Sequence, residues 1–316
     1  MTTLSPVARA GDETTAPRGD AAQTPVEIIG VTKRFGPLTA VEDLTFRLAP
    51  ATITGFLGPN GAGKTTTLRM IGGLVRPTAG AVRVFGVDAA LPRARTRLGY
   101  MPADPVFLPR LSGLANLDLL LKVRQASSAP LRGRAADALE LSSRDLGRLV
   151  GEYSSGMRQK LAIIAAMQHA PDLVVLDEPA NRLDPLAHRA FCELLRALAA
   201  EGRTVLLSSH VLAEVEEACD AVVLVREGRL LREANVDDLR RQASRAVTLV
   251  YEEPPARAPD MLTGARIDGV HVTGRIAARH PELVRALASI PGVIDITVAP
   301  ASLEDVFLDL YADGTT

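Results

Sequence analysis

Short apolar runs alternate with helical periods through the first two thirds of the chain. The apolar runs include Ile53–Leu57, Leu173–Leu176 and residues 205–207, and polar residues follow each of them. Runs of this length without polar alternation are typical of strands that are buried on both faces of a parallel sheet. Between the last two runs, Phe191 and Leu195 lie on one face of a helical period. The pattern predicts an α/β domain with a parallel core sheet.

Other segments have different patterns. Residues 1–25 carry no apolar periodicity, so we predict a disordered N-terminal tail. Residues 114–149 are rich in leucine at helical spacing, which predicts two or three helices inside a helical subdomain at about residues 105–160. Further β-like runs lie at residues 26–31, 41–48 and 81–85.

The last part of the chain, residues 236–316, reads as a separate small α+β domain. We therefore bound the first domain at residues 26–235. Within the second domain the pattern predicts strands at residues 247–251, 270–276 and 293–298, and helices at residues 281–290 and 302–311. We find no catalytic constellation in its sequence, and we interpret His271 and His280 as ordinary histidines.

Composition narrows the class of partner. The 316-residue chain has a formal net charge of −1, and its sequence contains no tryptophan. A basic field and base-stacking aromatics are the usual marks of nucleic-acid binding, so we expect no nucleic-acid partner. Cys192 and Cys219, the two cysteines of the sequence, lack the spacing of a metal site. We expect them to be idle thiols in a reducing cytosol.

Nothing in the sequence predicts a membrane span. No apolar run approaches the roughly 18 residues that a transmembrane helix needs. The N-terminus lacks the basic flank and apolar block of a signal peptide. We therefore expect a cytoplasmic protein, and if it works at a membrane, another polypeptide must supply the span.

The strongest chemical motif follows the apolar run Ile53–Leu57 and leads into a helical period. It reads Gly58-Pro59-Asn60-Gly61-Ala62-Gly63-Lys64-Thr65-Thr66. Its glycines allow backbone N–H groups to approach phosphate oxygens, and the helix N-terminus adds partial positive charge. Lys64 can reach the β- and γ-phosphates, and the Thr65 hydroxyl can ligate Mg²⁺. The motif predicts a P-loop, or Walker A motif, that binds a nucleoside triphosphate.

Two carboxylates and a histidine follow other predicted strands. Asp177 and Glu178 come directly after Leu173–Leu176, and His210 comes after residues 205–207. In parallel sheets the ligand lies beyond the carboxyl ends of the strands, where these side chains would lie. We predict that Asp177 holds Mg²⁺ through water and that Glu178 orients and polarises the attacking water.

A further motif opens a helical period just before the acidic strand. It reads Tyr153-Ser154-Ser155-Gly156-Met157-Arg158-Gln159-Lys160, and taken alone it predicts a helix N-cap at Ser154 or Ser155. Beside the P-loop and the acidic pair, it resembles the signature motif of ATP-binding-cassette (ABC) ATPases. Phe35, His210 and Asn181-Arg182-Leu183-Asp184 complete the resemblance as adenine-stacking aromatic, switch histidine and D-loop.

The resemblance covers about residues 26–235, and the variant motifs and the C-terminal extension look most like the ABC-2 class, which includes drug and antibiotic exporters. It implies a P-loop NTPase fold of the ABC ATPase type: a parallel core sheet, an antiparallel β subdomain and a helical insertion. The small α+β C-terminal domain would follow.

What the family implies for function is an ATPase subunit that energises a separate membrane permease of exporter type. Its cofactors would be ATP and Mg²⁺, and its place would be peripheral on the cytoplasmic face of the membrane. In the family, two subunits, either two copies or homologous ATPase subunits, meet head to tail. Ser154, Ser155 and Gly156 of one subunit would then face the nucleotide of the other, with Asp184 in the adjoining D-loop.

Individual roles follow from the same resemblance. Lys64, Glu178 and His210 would carry catalysis, and His210 would contact the γ-phosphate. A merely structural histidine is the alternative for His210. Phe35 would stack on adenine. The alternative for Phe35 is a core aromatic at a strand end.

Some positions depart from the family pattern. Ala103 stands where members usually carry Gln or Glu, and Asp104 follows it. We hypothesise that Asp104 partly substitutes through a bridging water; the competing expectation is a slow or permease-dependent ATPase. Ala180 and Arg182 replace a hydroxyl residue and a glycine beside the D-loop. Arg182 either perturbs the subunit contact or is solvated, and we favour the second.

Two other functions compete with a transport ATPase. One is a soluble ABC ATPase that acts on ribosomes or DNA. Such proteins usually show two cassettes, long coiled-coil insertions or zinc-binding cysteines, which this sequence lacks. The other is a regulatory or resistance module that binds ATP but turns it over slowly, and only Ala103 supports it.

Overall fold

A computed structural model of the chain describes residues 24–242, 245–276 and 283–299. The tail predicted at residues 1–25 lies almost wholly outside these ranges. The helix predicted at residues 302–311 also lies outside them, so both stay predictions. Across the part of the chain that the structure describes, no helix combines the length and the apolar character that a membrane span requires.

The described strands form three sheets. In chain order they are β1 (Val26–Phe35), β2 (Leu38–Arg47), β3 (Ile53–Leu57), β4 (Ala79–Val84), β5 (Val87–Asp88), β6 (Leu98–Met101), β7 (Leu173–Leu176), β8 (Thr204–Ser209), β9 (Ala221–Arg226), β10 (Arg229–Asn235), β11 (Arg245–Tyr251), β12 (Thr263–Asp268), β13 (His271–Ile276) and β14 (Val293–Val298).

The helices cover and connect these sheets. They are α1 (Lys64–Ile71), α2 (Pro92–Arg95), α3 (Gly113–Val123), α4 (Arg132–Ala138), α5 (Ser143–Gly147), α6 (Ser155–Met167), α7 (Pro185–Ala200), α8 (Leu212–Ala218), α9 (Val236–Gln242) and α10 (Leu283–Ala288). A short 3-10 turn, Val150–Glu152, precedes α6.

The central sheet has the strand order β10-β9-β3-β8-β7-β6. Its strands run parallel except for β10, which pairs antiparallel with β9. Every residue of β3, β7 and β8 is buried, in agreement with their apolar runs. Because these three neighbours are parallel, their carboxyl ends meet at one edge of the sheet. The residues that follow them are the P-loop, the acidic pair and His210.

A second, antiparallel sheet has the order β2-β1-β4-β5. It shares one hydrophobic core with helix α1 and with one face of the central sheet. Phe46 of β2 and Phe56 of β3 meet in this core with ring centroids 5.4 Å apart. Leu68 and Ile71 of α1 are buried in the same core. This packing fixes α1 and the P-loop that precedes it.

Helices α3, α4 and α5 form the predicted insertion between β6 and α6. Leu117, Leu139 and Leu146, one from each helix or its end, are buried in the same core as Leu161 of α6. The insertion therefore packs against the helix that the Ser154 motif opens.

Residues 245–276 and 283–299 contain an antiparallel sheet of order β12-β13-β11-β14. Val247, Leu249, Val272 and Leu287 form the centre of its core. Strand β12 was not predicted. Five of its six residues are exposed, so it carries no apolar alternation that a sequence pattern could detect.

The predicted fold class is confirmed: a parallel core sheet, an antiparallel β subdomain, a helical insertion and a small α+β unit are all present. The domain boundaries at residues 26, 235 and 236 stay a prediction. The first described strand begins at Val26, and β10 ends at Asn235.

Candidate nucleotide-binding and catalytic site

The P-loop connects the buried strand β3 to helix α1. Gly61 and Gly63 have φ values of 85° and 90°, a region that glycine adopts without strain. A Cβ at Gly63 would lie 2.4 Å from the carbonyl oxygen of Ala40, and one at Gly58 would lie 2.4 Å from that of Val225. The packing of the loop therefore requires glycine at both positions, apart from any ligand.

The outer turn of the loop faces solvent. Pro59, Asn60 and Gly61 are exposed, Ala62 is buried, and Thr65 and Thr66 are half-buried. Gly63 is the N-cap of α1, and no described side chain caps the first turn of that helix. The first-turn N–H groups are therefore left for water or for an anion.

Lys64 lies between the P-loop and the acidic pair. Its side chain is only 7 % exposed, and Nζ donates to the carbonyl oxygens of Gly58 at 2.7 Å and Pro59 at 3.4 Å. Nζ also lies 3.3 Å from Oε1 of Glu178. A buried ammonium group needs such oxygen partners, and a phosphate oxygen offers the same kind of contact with more charge.

Asp177 is fully buried at the end of β7. Its Oδ1 accepts a 2.7 Å hydrogen bond from Oγ of Ser208, whereas its Oδ2 has no hydrogen-bond partner among the described residues. Burial raises the pKa of Asp177 above 3.8, and the hydroxyls of Ser208 and Thr65 act in the opposite direction. An unpartnered, buried carboxylate oxygen beside a threonine hydroxyl is a hard oxygen environment of the kind that suits Mg²⁺.

Glu178 contacts both of the other predicted catalytic residues. Oε2 lies 2.9 Å from Nδ1 of His210, and Oε1 faces Lys64. The side chain is 12 % exposed, and the backbone has a φ of 50°, which is uncommon for a residue other than glycine. The backbone N–H of Glu178 donates to Oγ of Ser208 at 2.8 Å. Ser208 therefore holds both members of the acidic pair.

His210 follows β8, and its side chain is 42 % exposed. This exposure and the contact with Glu178 argue against a buried structural histidine. Lys64, Asp177, Glu178, Ser208 and His210 thus form one group at the carboxyl edge of the central sheet. We call it the catalytic cluster after the roles predicted for Lys64, Glu178 and His210.

The signature motif lies at the N-terminus of the 13-residue helix α6. Ser154 is the N-cap, and its Oγ accepts a hydrogen bond from the N–H of Met157 at 3.1 Å. Ser154 and Ser155 are exposed, and among the described residues no hydrogen bond or ion pair joins them to the catalytic cluster. A Cβ at Gly156 would lie 3.0 Å from the carbonyl oxygen of Arg182, so the motif packs against the D-loop of its own chain.

Gln159 ties this helix to the catalytic cluster. It is 1 % exposed, and its Nε2 donates to the carbonyl oxygens of Glu178 at 3.1 Å and Pro179 at 2.9 Å. Gln159 and Ser208 were not among the predicted site residues. Gln159 lies within the signature motif and Ser208 directly follows the apolar run at residues 205–207, but only the fold shows which backbone groups their side chains reach.

The remaining predicted site residues lie outside the catalytic cluster. Phe35, at the end of β1, is 48 % exposed, and Nζ of Lys33 lies 4.8 Å from its ring centroid. Phe35 is therefore not a core aromatic. Asp184 is the N-cap of α7, and its Oδ1 accepts from the N–H of Ala187 at 2.9 Å. That hydrogen bond lowers the pKa of Asp184.

The positions that depart from the family pattern contact each other. Nη2 of Arg182 lies 3.5 Å from Oδ1 of Asp104, whose side chain is 88 % exposed. Arg182 is half exposed and has a φ of 72°. Asp104 therefore pairs with the D-loop rather than with the catalytic cluster, and its substitution for the missing Gln or Glu stays a hypothesis.

Comparison with known proteins identifies the family that the motifs resemble. The ABC transporter family model matches residues 41–181. The Nod factor export ATP-binding protein I of Burkholderia orbicola is 34 % identical, over 90 % of this chain and 96 % of its own. A daunorubicin resistance ATP-binding protein of Streptomyces coeruleorubidus is also 34 % identical, over 92 % of this chain and 97 % of its own.

The solved structures that resemble this chain include ABC transporter cassettes. An ATP-binding subunit of an ABC transporter is 33 % identical with a TM-score of 0.64, over 69 % of this chain and 92 % of its own. A dimeric bacterial ABC transporter cassette has a TM-score of 0.62 at 21 % identity, over 67 % of this chain and 98 % of its own, and shows the shared fold. The soluble alternative gains no support from these similarities. The chain belongs to the ABC transporter family, as an ATP-binding, ATP-hydrolysing subunit of the ABC-2 exporter type.

Proposed function

We propose that this chain hydrolyses Mg-ATP at the catalytic cluster, between two copies of itself, and thereby drives a separate membrane permease. The observation that carries the proposal is the convergence of Lys64, Glu178 and His210 on the P-loop, beside a buried Asp177 oxygen without a partner. These groups can bind a triphosphate, hold its metal and activate water, which are the three tasks of ATP hydrolysis.

Triphosphate binding is assigned to the P-loop and Lys64. The backbone N–H groups of residues 58–66 and the N-terminus of α1 would hold the phosphates. Lys64 would exchange its carbonyl partners at Gly58 and Pro59 for phosphate oxygens. Phe35 is exposed enough to stack on adenine, a contact that does not distinguish between bases.

Mg²⁺ would be held by the hydroxyl of Thr65 and, through water, by Asp177. When bound, it would neutralise charge on the β- and γ-phosphates. The buried, unpartnered Oδ2 of Asp177 supports this assignment, because a buried carboxylate is costly unless a cation or a donor compensates it.

Glu178 is assigned to the attacking water. It would accept a proton as the water oxygen bonds to the γ-phosphorus and the bond to ADP breaks. His210, 2.9 Å from Oε2, would orient the carboxylate and reach the γ-phosphate. Ser208 and Gln159 would position Glu178 through its backbone N–H and carbonyl groups.

A second copy of the chain, or a homologous ATPase subunit, would complete the site. Ser154 and Ser155 are exposed at the N-terminus of α6 and make no hydrogen bond to the cluster of their own chain among the described residues. An exposed helix N-terminus suits a phosphate of the partner's nucleotide. The dimeric cassette of the same fold supports a pair of subunits. Asp184, as N-cap of α7, would border their interface.

Binding to the permease would localise the chain to the cytoplasmic face of the membrane as a peripheral subunit. Two relatives are named for Nod factor export and for daunorubicin resistance, which supports export as the direction of transport. The transported compound would be selected by the permease.

The decisive experiment compares the ATPase rates of the wild type and of Glu178→Gln. The amide keeps the size of the side chain but cannot accept the proton, so we expect a rate about 10²- to 10⁴-fold lower with ATP binding retained. Glu193→Gln is a matched control, because Glu193 pairs with Arg189 on the exposed side of α7. Equal rates for the wild type and Glu178→Gln would support the slow ATP-binding module instead.

A further inference from the structure

Three side chains with different metal-binding atoms converge between helices α7 and α8, away from the catalytic cluster. His188 and Cys192 are one turn apart on α7, and Glu217 comes from α8. One atom of each, an imidazole nitrogen, the thiol sulfur and a carboxylate oxygen, lies within 4.8 Å of the other two. No other group of three such residues converges in this way within the described ranges.

The distances are close to those of a metal site. Nδ1 of His188 lies 3.5 Å from Oε2 of Glu217 and 4.0 Å from Sγ of Cys192. Ligand atoms around a tetrahedral Zn²⁺ ion are separated by about 3.4–3.6 Å, as follows from Zn–N, Zn–O and Zn–S bonds of about 2.0–2.3 Å. Bringing the thiol sulfur to this separation from Nδ1 of His188 requires a shift of about half an ångström, and the sulfur and the Glu217 carboxylate lie within 4.8 Å of each other.

Burial and charge also favour a cation. Cys192 is fully buried and His188 is 18 % exposed, whereas Glu217 is 44 % exposed and leaves one side open to solvent. Glu214 and Glu217 are near enough to act on the Cys192 thiol, and Arg196 is the opposing charge, whereas Glu193 is paired with Arg189. A net negative surrounding lowers the cost of bringing a divalent cation to a half-buried site.

We propose that His188, Cys192 and Glu217 form a binding site for a divalent transition metal of the Zn²⁺ class, with water as the fourth ligand. Thiolate and imidazole select Zn²⁺ and its neighbours over Mg²⁺, which separates this site chemically from Thr65 and Asp177. Metal binding would release the thiol proton of Cys192 to solvent. Three protein ligands with one open position are a known arrangement for Zn²⁺.

The location suggests what the metal would do. Helix α7 begins directly after the D-loop residue Asp184, its N-cap, and α8 begins two residues after His210. A metal bound by both helices would link the two segments that carry these residues. We therefore expect the metal to stabilise the folded chain, since any ligand that binds only the folded state does so.

Co²⁺ is the probe that tests the site. The full, metal-free chain is titrated with Co²⁺ without nucleotide, and the near-ultraviolet absorption is recorded. We expect a thiolate-to-cobalt charge-transfer band that saturates at one equivalent, and its displacement by Zn²⁺. Co²⁺ at the oxygen ligands Thr65 and Asp177 gives no such band, so the readout does not depend on the proposed catalytic function.

Variants identify the ligands. Cys192→Ser should abolish the band, whereas Cys219→Ser, which changes the other cysteine, should keep it. Because Cys192 is buried, the exposed ligand is changed as well. Glu217→Gln should weaken Co²⁺ binding by at least about 10-fold without lowering the melting temperature of the metal-free chain. Glu193→Gln should leave the affinity unchanged.

The proposal fails if the wild type shows no band at one equivalent. It fails equally if the band persists in Cys192→Ser, is lost in Cys219→Ser alone, or if Glu217→Gln binds Co²⁺ as tightly as the wild type.

Discussion

At the level of single residues, the position that suits Asp177 to bind Mg²⁺ also lowers the stability of the nucleotide-free chain. Its carboxyl group is fully buried, and one oxygen has no hydrogen-bond partner among the described residues. Burial raises its pKa above 3.8, so the carboxyl group binds its proton more tightly in the folded chain than in the unfolded chain. The contribution of Asp177 to stability is therefore complete below pH 3.8 and is lost as the pH rises through the raised pKa.

The substitution Asp177→Asn tests this effect on stability. Because the pKa is raised, ionisation of the buried carboxyl group destabilises the nucleotide-free chain, and an amide cannot ionise. We expect the variant to have a higher melting temperature than the wild type at pH 7 without Mg²⁺, with a difference that narrows toward pH 4. Its Mg²⁺-dependent ATPase activity should be lost. An unchanged or lower melting temperature at pH 7 would show that the Asp177 carboxyl group does not destabilise the nucleotide-free chain.

At the level of elements, helix α6 connects two parts of the proposed site. Its N-terminus carries Ser154, and one turn later Gln159 reaches the backbone that follows β7. Movement of the signature motif would therefore displace Gln159 and, through its hydrogen bond, the backbone of Glu178. A single buried amide makes this link, and its two hydrogen bonds go to carbonyl oxygens of the segment that positions the acidic pair.

We expect Gln159→Ala to affect both stability and catalysis. Losing the amide leaves buried carbonyl groups unpaired, which should lower the free energy of unfolding by about 1–3 kcal/mol. Misplacement of Glu178 should lower kcat by up to about 100-fold. Denaturant unfolding and steady-state ATPase assays measure the two effects.

Gln168→Ala provides the control for that prediction. Gln168 is also fully buried, and its Nε2 donates to the carbonyl oxygen of Leu117 in the helical insertion, away from the catalytic cluster. It should lose stability to a similar extent while keeping kcat per folded molecule. If Gln159→Ala behaved in the same way, Gln159 would be structural only.

At the level of the whole molecule, the proposed dimer predicts that P-loop and signature motif act from different chains. A mixture of Lys64→Ala and Ser154→Ala tests this. In a mixed dimer, one site combines both defects, and the other site combines the intact P-loop of one chain with the intact signature motif of its partner.

Each variant alone should be nearly inactive, and an equal mixture should recover about one quarter of wild-type activity, because half of the dimers are mixed and each has one intact site. Steady-state ATPase rates of the two variants and of their mixture are the measurement. A mixture no more active than its components would place both motifs in one chain and contradict the dimeric site.

Much of this molecule is determined by local sequence. The apolar runs that precede Gly58, Asp177 and His210 predicted three buried strands with the following polar residues at one edge, and the central sheet has that arrangement. Such predictions succeed because strand burial and loop conformation depend on a few neighbouring residues. Strand β12 escaped prediction because its exposed residues carry no such local signal.

Tertiary structure alone decided the contacts between distant segments. His188 and Cys192 are visible in the sequence as one turn of a helix, but the third ligand, Glu217, lies on another helix. Likewise, nothing local indicates that Ser208 holds both Asp177 and the backbone of Glu178. These contacts depend on the strand order β3-β8-β7 and on the packing of α7 against α8, which arise from the cooperative burial of the whole core rather than from any single segment.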